Sequence, residues 1–133
     1  MALLDRFSLA QRSLIPSFSG FFFYGTWAFC VNIMYGKLIA LKAGVVQGSY
    51  SFLITLFMTL MLEGLHRALS RKIDNYLLVN WITIISCCTL VFSGSWAINV
   101  LAGTPEIFRT VILGYIIGGL FSITYVFGLS RKP

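Results

Sequence analysis

The stretch Gln47–Arg67, QGSYSFLITLFMTLMLEGLHR, decides how the whole chain is read. It is apolar enough to cross a membrane, yet a polar residue returns at every fourth position: Gln47, Ser51, Thr55, Thr59, Glu63 and Arg67. In lipid such side chains turn towards other helices or water-filled cavities, because hydrocarbon leaves their hydrogen-bonding groups unsatisfied. The stripe therefore marks an internal surface. Four residues advance a helix by about 400°, so each step drifts by about 40° and the row from Gln47 to Glu63 winds through roughly 160°. One straight groove would not see all of it. A partner helix crossing along this ridge, or two neighbours sharing it, would.

The rest of the chain has the same character. Its 133 residues are 58% hydrophobic and only 11% charged, with a mean hydropathy of +0.87, which leaves too little polar surface to cover a soluble globule. Crossing a hydrocarbon core of roughly 30 Å takes about 20 mainly apolar residues, and four such stretches nearly exhaust the sequence. The expectation is an all-α integral membrane protein, a single domain over residues 1–133 forming a compact four-helix bundle. The net charge of +6 sits in short segments flanking the spans, where it sets orientation and meets anionic lipid, so nucleic acid is not an expected partner. Cys30, Cys87 and Cys88 fall in apolar stretches and read as packing residues, with neither a disulfide nor a metal site.

Spans are expected at about 16–35, 44–65, 76–101 and 105–129. Before them, MALLDRFSLAQRSL places Leu3, Leu4, Phe7, Ala10 and Leu14 near one face, as in a short interfacial helix over about 2–14. A cleavable signal peptide is the competing reading, but no small-residue cleavage site follows the segment. Pro16 suits a helix start, and GKLIALKA reads as a tight basic turn. In AGTPEIF, Gly103 ends one helix while Thr104 as N-cap, Pro105 and Glu106 open the next. Arg6, Arg12, Arg67, Arg71, Lys72, Arg131 and Lys132 fall on one side of this plan, with Arg67, Arg71 and Lys72 forming the middle basic flank. Lys37, Lys42 and Arg109 fall on the other. The excess predicts cytoplasmic termini in a bacterial inner membrane.

Several residues bear on function. Ser51, Thr55 and Thr59 can satisfy themselves on the carbonyl one turn earlier. Glu63 is a candidate for a gate or substrate path, since an acid within a span needs water or a partner; an interfacial pair with Arg67, four residues on, and with His66, three on, explains it without function. Gln47, Asn32 and Asn80 are further candidates for a substrate path, with interhelical hydrogen bonding as their alternative role. On span three Asn80, Thr83, Cys87, Leu90, Gly94 and Ala97 share a face. Small residues that allow close helix approach are Gly25, the pair Gly44 and Gly48, and the row Gly114, Gly118 and Ser122. With one His and acids scattered over Asp5, Glu63, Asp74 and Glu106, the chain holds no constellation for catalysis, no metal set and no cofactor motif, so an enzyme is not expected.

The segment FFFYGTWAFCVN, with a glycine seven residues before an asparagine in the first of four spans, resembles the opening of GtrA-like proteins, as do the chain's size and plan. The resemblance covers the first half of the chain. The segment LEGLHRALSRK after span two departs from that family by lacking an aromatic. The family moves polyprenyl-linked sugars across membranes, so the resemblance implies family roles for Gly25 and Asn32 and a lipid-linked substrate. Two functions are therefore expected to compete. One is a small transporter or flippase-like protein for an amphipathic or lipid-linked molecule, working as a homo-oligomer or with a partner. The other is a non-catalytic accessory subunit whose glycine faces dock a larger membrane complex.

Overall fold

The computed structural model describes residues 9–130 and contains four long helices: α1 (Leu9–Asn32), α2 (Lys37–Ser70), α3 (Tyr76–Ala102) and α4 (Ile107–Ser130). All four are long and apolar enough to cross a membrane, which is compatible with an integral membrane protein. Their up-and-down order places the α1–α2 and α3–α4 connections at one end, the loop end. The last turn of α2 and the α2–α3 connection, with exposed Arg67, Arg71 and Lys72, lie at the other, the basic end. Successive helices pack on one another, and α1 meets α2 most extensively.

What the bundle buries fits a lipid solvent. Eleven polar side chains and ten hydrophobic ones are buried among the described residues, while phenylalanines such as Phe22 stand exposed. A soluble bundle would sort them the opposite way.

Three boundaries differ from those the sequence predicts. The expected interfacial helix lies largely outside the described residues, and α1 runs through Pro16 without a break instead of starting there. Membrane helices tolerate an interior proline when neighbours re-satisfy the freed carbonyl. The segment GKLIALKA is not a turn: the connection is the short 3-10 turn Ile33–Tyr35 followed by Gly36 at φ 117°. From Lys37 onwards good helix formers simply continue, so α2 rises about 51 Å over its length and carries Lys37 and Lys42 exposed on its first turns. At the other connection Gly103 closes α3 at φ 74°. The Thr104 hydroxyl, however, donates back to Asn99 Oδ1 at 2.9 Å instead of capping α4.

The glycines of the first helix pair permit near contact of backbones. A Cβ at Gly25 would lie 3.0 Å from the Gly44 carbonyl oxygen, and one at Gly48 would lie 2.8 Å from that of Phe21. Along the axis the interior is layered. Polar side chains join the helices at the loop end, a cavity follows, and Met58, Leu62, Ile84, Cys87 and Val126 close it with an apolar plug. A second polar cluster lies beyond the plug, at the basic end.

Candidate functional site

The cavity between the helices has a volume of about 570 Å³, within the range of about 300–1,000 Å³ typical of small-molecule sites. Helices α2 and α3 form its back wall, with Tyr50, Ser51 and Ser95 among the lining residues, and α1 and α4 form its lips. On those lips Phe23 and Phe121 are 55% and 44% exposed, so the cavity is a crevice open sideways between α1 and α4. Among the described residues, no Lys, Arg, His, Asp or Glu lines it.

A clamp at the loop end holds α1 to α4 above the crevice. Asn32, fully buried, donates from Nδ2 to the Ala28 carbonyl at 2.8 Å and to Thr110 Oγ1 at 2.9 Å. Its Oδ1 accepts the backbone N–H of Glu106 at 3.0 Å, one of the orphan donors that open a helix. Trp27 Nε1 donates to the Arg109 carbonyl at 2.7 Å, and the Tyr35 hydroxyl to Glu106 Oε1 at 2.7 Å.

Behind the crevice runs a second chain of bonds whose direction is fixed. The Thr104 hydroxyl donates to Asn99 Oδ1. Asn99 Nδ2 donates to Gln47 Oε1 at 2.8 Å and to the Ser95 carbonyl at 2.8 Å. The Ser95 hydroxyl also reaches Gln47 Oε1, at 3.3 Å. Gln47 thus has a saturated oxygen and an amide nitrogen that makes no hydrogen bond among the described residues, although the residue is only 3% exposed.

At the basic end Glu63 accepts a hydrogen bond from the Tyr125 hydroxyl on α4, and no ion pair joins it to Arg67. The pairing expected from four-residue spacing is thus replaced by a tertiary contact, because the winding stripe has by then turned towards α4. Nearby, Asn80 Oδ1 accepts from Ser130 Oγ at 2.6 Å and meets His66 Nε2 at 3.0 Å. The described residues hold no group of three or more His, Cys, Asp or Glu able to bind a metal.

Of the four residues singled out for a substrate path, only Gln47 lines the crevice; Asn32, Asn80 and Glu63 join helices above and below it. The stripe itself divides as its drift predicts. Gln47 and Ser51 are buried, Thr55 and Thr59 half-buried, and Arg67 exposed; Thr55 donates to the Ser51 carbonyl at 2.7 Å. The row Gly114, Gly118 and Ser122 also divides. Ser122 is buried against Cys88, whereas Gly114 and Gly118 line the crevice and bring no second helix close. A Cβ at Gly118 would meet nothing within 4 Å.

Asn99 and Ser95 were not among the expected residues. The row through Leu90 and Ala97 steps by threes and fours, but the inward row proceeds by fours beyond Cys87, through Val91, Ser95 and Asn99, leaving Leu90 and Ala97 exposed. The i, i+4 spacing of Ser95 and Asn99 was the signal available. No protein-family model, curated protein or solved structure matches this chain.

Proposed function

We propose that the protein is an inner-membrane carrier of the flippase type for an amphipathic or lipid-linked molecule, with both termini in the cytoplasm, and that the molecule enters sideways from the bilayer between α1 and α4. The observation that carries this reading is the crevice itself: apolar along most of its lining, with polar groups that include Gln47, Ser51, Ser95 and the tyrosines Tyr24 and Tyr115, and open to the side. A lipid chain gains nothing by leaving bilayer hydrocarbon for an equally apolar wall, so the polar groups supply the preference for one kind of molecule. The sequence resemblance to GtrA-like proteins supports the same class of substrate. A four-helix bundle is narrow, so a homo-oligomer or a partner protein completes the path.

Reconstitution into vesicles tests the transport step. A fluorescent amphiphile in the inner leaflet is protected from a membrane-impermeant quencher until it crosses. Protein-containing vesicles are expected to lose the protected signal faster than protein-free ones, and more slowly once Gly118→Trp fills the crevice. Equal rates in all three samples would favour the accessory-subunit reading, in which the open glycine face of α4 receives a helix of a larger complex.

A further inference from the structure

Resting on the reading of the crevice as an amphiphile site, we infer that its occupant is an acylated lipid whose neutral ester or amide carbonyl accepts a hydrogen bond from Gln47 Nε2. The direction of the bonds behind the crevice is what selects for this chemistry. Thr104 donates to Asn99, and Asn99 and Ser95 both donate to the Gln47 oxygen. Rotating the Gln47 amide would set its N–H groups against the Asn99 Nδ2 donor, so the nitrogen is held on the free side. It is an unpartnered donor on a side chain 97% removed from solvent, in a residue that lines the cavity. The fully buried side-chain atom without a partner among the described residues is Asn80 Nδ2, so Gln47 Nε2 keeps some exposure to the crevice; once hydrocarbon fills that space a donor without an acceptor is costly, and an acceptor brought by a ligand removes the cost. Ser51 lies one turn along the same wall, and its hydroxyl is likewise without a hydrogen bond among the described residues.

Charge decides which acceptor fits. With no cationic side chain among the described residues of the lining, a phosphate drawn into the crevice would be a desolvated anion without a counter-charge from them, whereas a carbonyl needs only one or two donors. Depth agrees. From Lys42 to Glu63, the two charged residues that bracket the apolar part of α2, the helix rises about 31 Å, close to the roughly 30 Å of a hydrocarbon core. Gln47 then sits about 7 Å inside the loop-end boundary, below the level of headgroup phosphates. The acyl tail extends from there towards the apolar plug at Met58.

The test uses the purified full chain in lipid nanodiscs and three probes: methyl oleate, its ether analogue oleyl methyl ether, and a polyprenyl phosphate. Methyl oleate is expected to bind ~5-fold more tightly than the ether, the ratio that corresponds to one hydrogen bond of about 1 kcal/mol. Gln47→Leu is expected to bring that ratio close to one. A carbon-13 label on the ester carbonyl gives a readout independent of the variant, since its infrared stretch is expected to fall in frequency on binding the native protein. Equal ester and ether affinity with no shift of the stretch, or a preference for the polyprenyl phosphate, would overturn the carbonyl contact and leave the amphiphile site standing. Binding of none of the three would overturn both.

Discussion

The Tyr125 hydroxyl of α4 donates to the Glu63 carboxylate of α2, so the one acid in the second half of α2 is engaged across the bundle and not along its own helix. Glu63→Gln keeps an acceptor for that hydroxyl and is expected to change stability little. Tyr125→Phe removes the donor and is expected to cost about 1 kcal/mol. Arg67→Ala, at an exposed site, is expected to stay within about 0.5 kcal/mol of the native protein. Thermal unfolding in detergent ranks the three. An Arg67→Ala loss exceeding that of Tyr125→Phe would restore the i, i+4 ion pair.

Close approach of α1 and α2 makes a paired prediction about glycine. Alanine raises helix propensity by about 1 kcal/mol wherever there is room. At Gly64, where a Cβ meets nothing within 4 Å, the substitution is expected to stabilise. At Gly48, where the Cβ would press to 2.8 Å against a backbone carbonyl, overpacking of about 1–3 kcal/mol is expected to outweigh the gain. Opposite signs in the two unfolding midpoints check the helix interface, and matching signs would refute it.

Asn32 supplies two of the hydrogen bonds of the clamp between α1 and α4, to Thr110 and from the Glu106 N–H. Asn32→Ala leaves the Glu106 N–H and the Thr110 hydroxyl short of a partner and is expected to cost about 1–3 kcal/mol. It should also widen the loop end of the crevice. Distances between spin labels on exposed Thr26 and Phe108 are expected to lengthen and broaden in the variant. An unchanged distribution would place the restraint elsewhere.

Orientation is set by the distribution of Lys and Arg. In a background without Cys30, Cys87 and Cys88, a cysteine at Lys42 or Gly103 is expected to react with an impermeant thiol reagent from outside the cell. One at Arg71 is expected to react only after permeabilisation. Labelling of Arg71 in intact cells would reverse the topology.

How legible the molecule was in its sequence varied with the range of the interaction. The four long apolar helices and the turn at Gly103 follow from hydropathy and local backbone preference, which act within a few residues. Lys37 and Lys42 were misleading because basic residues mark both loops and protruding helix ends. Glu63 and Arg67 share the spacing of a pair, but Tyr125, 62 positions away, captures the carboxylate, and no local pattern encodes that. Gln47 was visible as part of a stripe. Its partner Asn99 shares an i, i+4 spacing with Ser95, but which row of α3 turns inward is set by a helix crossing that only the assembled bundle defines. Gly114 and Gly118 have the spacing of a packing motif, yet small residues serve equally to leave space.

Occupancy of the crevice is tested most directly by the native mass spectrum of the purified protein beside that of Gly118→Trp. The indole would project into open crevice, with nothing within 4 Å of its first carbon, so helical content and unfolding temperature are expected to be retained. The native protein is expected to carry discrete lipid mass additions that survive gentle activation, and the variant to lose them. Identical lipid additions on both proteins would contradict the crevice as the binding site.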